Sequence, residues 1–126
     1  MRAVDTNVLV RLLVRDDAEQ VEAAEAFIAN GAWVPLLALA ETTWVLSSVY
    51  DCAPAAVATA VEMLLNHEHL ALQDADAVAQ AVDQFRRKRS LEFSDCLMLA
   101  VSRKTGHVPL GTFDRARGRL EGAQRV

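Results

Sequence analysis

Short apolar runs alternate with longer segments of helical periodicity along this chain, and that alternation constrains its fold more than any other feature. "RAVD", "AWVP", "LALQ" and "HVPLGT" read as strands. Between them, "DAEQVEAAEAFIANG" places Val21, Ala24, Phe27 and Ile28 at helical spacing and closes on Asn30-Gly31. "LLALAETTWVLSSVY" predicts a largely buried helix, and "PAAVATAVEMLLNH" a helix with Pro54 in its first turn and Val57, Val61, Leu64 and Leu65 on one face. "DADAVAQAVDQFRRK" starts acidic and ends basic, as its dipole favours, and "SDCLMLAVSRKTG" stops at Gly106. "FDRARGRL" predicts a short helical turn before a terminal edge strand. Strands joined by helical crossovers pair in parallel, so an α/β fold with its sheet covered on both sides is expected, as one domain over residues 1–126.

Composition narrows the class. Apolar residues make up 52% of the chain, enough for a packed core. The longest apolar stretch, "WVPLLALAETTWVL", is interrupted before the roughly 20 residues of a membrane span, and no secretory leader is legible at the amino terminus. Cys52 and Cys96 make no disulfide framework and read as small buried residues of a reduced, cytoplasmic protein.

Charge is unevenly spread. From Asp16 to Phe85 there are twelve acidic residues and no basic one, whereas the two ends hold all thirteen Lys and Arg against five acids. Such a pattern fits either solvated helix faces or a molecule with an electropositive region.

Four carboxylates stand in unusual surroundings. Asp5 and Asp114 each follow a strand, and functional groups of parallel sheets gather at the carboxyl ends of strands. Glu41 has Leu37, Ala38, Trp44 and Val45 as its helical neighbours, which predicts a carboxylate in an apolar stripe. Asp95 opens an apolar helix, with Ser94 as a candidate cap and Met98 and Leu99 one turn on, which predicts an inward-pointing side chain. Converging carboxylates repel one another unless a hard cation such as Mg2+ or Mn2+ joins them. His67, His69 and His107 lack the paired spacing of a zinc site and read as loop or strand-edge residues.

These residues carry a resemblance. "VDTNVLVRLL", "LAETTWVLSSVY", "EFSDCLMLA" and "LGTFD" occur in the order found in PIN domains, and the chain most closely resembles the VapC-type toxins of type II toxin–antitoxin pairs. The resemblance implies a three-layer α/β/α sandwich with a central parallel sheet. It implies endonucleolytic cleavage of RNA with Mg2+ or Mn2+ held by Asp5, Glu41, Asp95 and Asp114. Thr6, Asn7 and Thr112 match the polar residues beside that set. Many relatives have Asp where this chain has Glu92, so Glu92 stands as an accessory and not as a ligand. The chemistry expected is polarisation of the scissile phosphate and activation of water for in-line attack.

Basic residues flank three of the four acidic motifs. Arg11 and Arg15 follow Asp5; Arg86, Arg87, Lys88 and Arg89 precede Asp95; Arg115, Arg117 and Arg119 follow Asp114. They are expected to hold RNA phosphates, while "QFRRKR" also suits a dipole-favoured helix end. Trp33, Trp44 and Phe27 read as core or dimer contacts. The resemblance further implies a homodimer and a VapB-like antitoxin that blocks the acidic site, in a larger complex. Two other readings stand beside it. One is a catalytically inactive module of the same fold; the other is a haloacid-dehalogenase-type phosphatase, which would need a second Asp where Asn7 stands.

Overall fold

The computed structural model describes residues 1–88 and 90–126, and Arg89, one of the expected RNA contacts, lies outside the described residues. The chain forms two compact units, Met1–Ala75 and Asp76–Val126.

In the first unit, β1 (Arg2–Ala3), β2 (Ala32–Val34) and β3 (Leu70–Leu72) form a parallel sheet in the order β1-β2-β3. Arg2 stands opposite Ala32, and Ala32 opposite Leu70. The crossovers are helical: α1 (Thr6–Val14) and α2 (Ala18–Ile28) before β2, then α3 (Leu36–Ser48) and α4 (Pro54–Leu65) before β3. Asp5 caps α1 and Asp17 caps α2 through side-chain oxygens. Pro35, which precedes α3, offers no side-chain cap. Gln73, just past β3, takes that role through its Oε1, which accepts the Leu36 N–H at 2.8 Å. Leu9, Val10, Ile28, Val34, Leu39, Val61 and Leu64 fill the core. Thr42 and Thr43 are buried too, their hydroxyls donating to the Ala38 and Ala40 carbonyls within α3.

The second unit holds α5 (Ala75–Arg87), α6 (Phe93–Lys104), β4 (Leu110–Thr112), a 3-10 turn (Arg117–Arg119) and β5 (Ala123–Arg125). The terminal strand does form, pairing with β4 in parallel as a separate two-stranded ladder. Val78, Val82 and Phe85 of α5 are buried, as are Cys96 and Leu99 of α6, and the Phe85 and Phe93 rings meet edge to face at 5.8 Å. Helices alternating with parallel strands give the α/β class that the sequence predicts.

Several burial expectations fail. Leu37 is 72% and Trp44 59% exposed, so α3 is apolar on an outer face as well as an inner one. Trp33 and Phe27 are also exposed, so of the two roles expected of them, core or dimer contact, the core one fails; the Phe27 ring is covered by the Arg2 guanidinium at 4.8 Å. Met98 faces outward although Leu99 is fully buried. Cys96 is buried as expected, but Cys52 is only half-buried. Among the described residues no helix is long and apolar enough to cross a membrane.

The two faces of α3 make a sharp contrast testable. Leu39→Ala, at a fully buried position, should cost about 2–5 kcal/mol in urea unfolding, whereas Leu37→Ala should stay within about 0.5 kcal/mol. Leu99→Ala should match the larger loss in the second unit.

Candidate active site

In the first unit the local structure follows from the short apolar strand and the polar tripeptide after it. β1 ends, the Val4 N–H bonds the Trp33 carbonyl at 3.0 Å, and the chain turns into α1. Asp5 Oδ1 then accepts the Val8 N–H at 3.2 Å, which satisfies one of the open donors of the helix start. The next residue reaches across the unit: Thr6 Oγ1 donates to Glu41 Oε2 at 2.9 Å. Glu41 is thereby drawn to the amino terminus of α1, the end that Asp5 caps. It is exposed, not sunk in an apolar stripe, because Leu37 and Trp44 share its solvent-facing side of α3. Asn7 is exposed and lines a groove with Val8, Arg11, Gln20 and Phe27.

The second unit is more tightly built. Helix α6 starts at Phe93 with Glu92 in the cap position, so Ser94 is not the cap. Asp95 reaches back, its Oδ2 accepting the Glu92 N–H at 3.0 Å. Its Oδ1 meets Arg117 Nε at 2.8 Å, and the Asp95 side chain is only 5% exposed. The inward orientation expected of Asp95 is therefore present. Arg117, expected on an RNA-binding rim, is instead the ion-pair partner of this buried acid. Glu92 contributes its backbone to the arrangement and is itself exposed.

Asp114 follows β4 in a compact turn. Thr112 Oγ1 accepts the Asp114 N–H at 3.1 Å, and Asp114 Oδ1 accepts the backbone N–H of Arg117 at 2.8 Å. That bond, then the positive charges of Arg117 and Arg125, holds the Asp114 carboxyl below the ordinary aspartate range. Arg117 thus touches two acids of this unit, Asp114 through its backbone and Asp95 through its guanidinium. Burial, with the Asp95 charge behind it, pushes the Cys96 thiol up to about 11, so it stays protonated at neutral pH and makes a poor nucleophile.

The donor atoms are all oxygens: carboxylates of Asp5 and Glu41 with the Thr6 hydroxyl in one unit, and carboxylates of Asp95 and Asp114 with the Thr112 hydroxyl in the other. Such a set fits Mg2+ or Mn2+, which take oxygen ligands; Mg2+ is commonly held by one or two carboxylates while keeping several waters. Within each unit, among the described residues, no group of three or more His, Cys, Asp or Glu gathers at metal-holding distance. Any ion at a pair would therefore complete its shell largely with water.

Most of the expected RNA contacts are already paired. Arg11 bonds Asp16 at 2.6 Å, Arg15 bonds Glu25 at 2.5 Å, and Arg87 bonds Asp83 one helical turn back. Arg86 also has a partner, while Lys88 and Arg115 are exposed. Sequence reading misses a cavity of about 480 Å3 in the second unit, lined by Arg87, Lys88, Arg103 and Arg119 with Asp83 and Glu121. Beside it Arg103 donates to the Glu121 carbonyl, and Gly122 follows at φ +91°, a conformation that L side chains rarely adopt. Nothing in local spacing announces that packing.

The depressed Asp114 carboxyl has a definite pH signature. Its stabilising contribution is present above the ordinary aspartate range and is lost as pH falls through its lowered folded-state value. The stability gap between wild type and Asp114→Asn should be largest near neutral pH and close on acidification. Urea unfolding along a pH series checks this; a gap that widens towards acid would contradict it.

A PIN domain family model matches residues 2–122, a span that includes Asp5, Glu41, Asp95 and Asp114. No curated protein matches the chain. PIN domains have a nuclease-type fold, are typically hydrolases and generally bind divalent metal ions. With the match covering almost the full length, this chain belongs to the PIN domain family.

Proposed function

We propose that this protein is a divalent-metal-dependent endoribonuclease and the toxin of a type II toxin–antitoxin pair, of the VapC type. The observation that carries the reading is Asp95, a carboxylate almost wholly out of water and met by a single guanidinium, in a chain of a nuclease family. Burying a negative charge is costly unless it is paired, and a purely structural role would be met as well by an amide or an apolar residue.

Bound Mg2+ or Mn2+ would supply positive charge to the scissile phosphate and activate water for attack. The chain's own residues prepare for this. Asp5 and Asp114 are held by the backbone N–H groups they cap, which fixes one oxygen of each and orients the other. Thr6 fixes Glu41 by its Oε2 and leaves Oε1 to accept a proton or a water. The Glu92 N–H holds Asp95 by its Oδ2, and Arg117 balances the charge of the carboxylate at Oδ1 in the metal-free protein. The RNA backbone is held by the cations of the second unit, chiefly Lys88 and Arg119, which have no ion pair among the described residues, together with Arg103 and Arg87 around the same cavity. Homodimerisation and a VapB-like antitoxin belong to this reading. Its support is the apolar outer face of α3, where Leu37 and Trp44 flank Glu41 one turn to either side. A partner helix on that face would shield Glu41 from substrate.

Incubation of RNA with Mg2+ or Mn2+ should give internal cleavage that EDTA abolishes. Asp5→Asn, Glu41→Gln, Asp95→Asn and Asp114→Asn should each lower the rate by at least about 100-fold. Cleavage that persists in EDTA and in all four variants would remove the reading, and folded protein without cleavage would favour the inactive module. Separately, neutralising Arg87, Lys88 and Arg119 together should weaken RNA binding in EDTA. The slope of log affinity against log salt should fall by about 0.7 for each phosphate that is no longer neutralised.

A further inference from the structure

We infer that Arg117 is a built-in counter-cation of Asp95, which a divalent ion must displace and which thereby sets the metal affinity of the site. The inference rests on the proposal above that Asp95 takes part in holding a divalent ion.

The geometry is specific. Asp95 is 5% exposed and both its oxygens are engaged, Oδ2 by the Glu92 N–H at 3.0 Å and Oδ1 by Arg117 Nε at 2.8 Å. A neutral N–H cannot balance the carboxylate's charge, whereas a guanidinium can. Arg117 therefore does for the metal-free protein what a cation does for the loaded one. A divalent ion on Oδ1 would lie within a few ångströms of the guanidinium, and two positive charges that close repel. The Arg117 side chain is 40% exposed, so it has water to move into.

The backbone at Arg117 stays put while the side chain moves. Asp114 Oδ1 holds the Arg117 N–H, and the Asp114 carbonyl accepts the Gly118 N–H at 3.0 Å. Gly118 lies so close to β5 that a Cβ there would meet Arg125 Cβ at 2.8 Å. The 3-10 turn is thus clamped at one end by Asp114 and along its length by β5. Only the arginine side chain is left as the moving part, and the acid that clamps its backbone is Asp114, the other candidate acid of this unit.

Calorimetric titration of the full chain with Mn2+, without RNA, tests this. Arg117→Gln should bind Mn2+ about tenfold more tightly than wild type, because a competing state has been removed. It should also melt at a lower temperature without metal and recover when Mn2+ is added. Arg117→Lys, which keeps the charge, should remain close to wild type in affinity. On the unaltered protein, the Arg117 Nε–H resonance should shift with Mg2+ at the midpoint of binding. Equal or weaker Mn2+ binding by Arg117→Gln would overturn the assignment, as would an Nε–H signal that does not move at saturating Mg2+; the second readout needs no variant to fold. Tighter Mn2+ binding in a protein that cuts no RNA keeps the Arg117 assignment and removes the ribonuclease. Wild type and variant both failing to bind Mn2+ would remove the metal site itself.

Discussion

A carboxylate removed from water has to be met by positive charge or by N–H groups, and much of the second unit is arranged around that demand at Asp95. The start of α6 supplies one donor, since the residue that caps the helix offers its own N–H to the third residue of the first turn. The turn after β4 supplies the other, because capping by Asp114 sets the backbone of Arg117 where its guanidinium reaches Asp95. Two local motifs, each ordinary in itself, are coupled through one ion pair. Removing Arg117 leaves the buried Asp95 carboxylate without a counter-charge, whereas removing Asp95 frees a guanidinium that is already 40% exposed. That coupling ties the fold of the 3-10 turn to the charge state of the acidic site.

A related arrangement recurs at the strand ends. Asp5 and Asp114 each stand where a strand gives way to a helix or turn, and each commits an oxygen to a backbone N–H. A cap and a metal ligand are not competing roles for a carboxylate, which has two oxygens and several lone pairs. Capping removes side-chain freedom before any ligand arrives, so less ordering remains to be done on binding. Glu41 reaches a comparable state by a different route, through the Thr6 hydroxyl, because it sits mid-helix where no backbone N–H is open.

Period and punctuation make the strands and helices legible, down to the terminal strand, and the strand-end acids with them. The inward turn of Asp95 is legible from its place at the head of an apolar helix. Glu41 is misjudged when apolar neighbours at helical spacing are equated with burial. On α3 the core takes Leu39, Thr42, Thr43 and Leu46, so two threonines lie inside while Leu37 and Trp44 lie outside. The threonines can be buried because each satisfies its hydroxyl within the helix. Arg117 is illegible as a partner of Asp95, since their pairing depends on how the turn after β4 packs against α6. No spacing rule carries that information.

Counting cations in a sequence overstates what is available to a polyanion. Arg11, Arg15 and Arg87 are each held by a nearby acid, and Arg117 by a buried one. The exposed pairs are weak, worth roughly 0–1 kcal/mol, and a phosphate can compete for those guanidinium groups. Arg117 is different in kind: drawing it away uncovers a buried charge, so a phosphate alone cannot take it cheaply, while a divalent ion that replaces its charge can. In the proposed reading, the cations that would accept RNA and the one that would yield to metal are therefore distinguished by the burial of their partners. Basic residues beside acidic motifs thus divide by structure into those whose partner acids are exposed and one, Arg117, whose partner is buried.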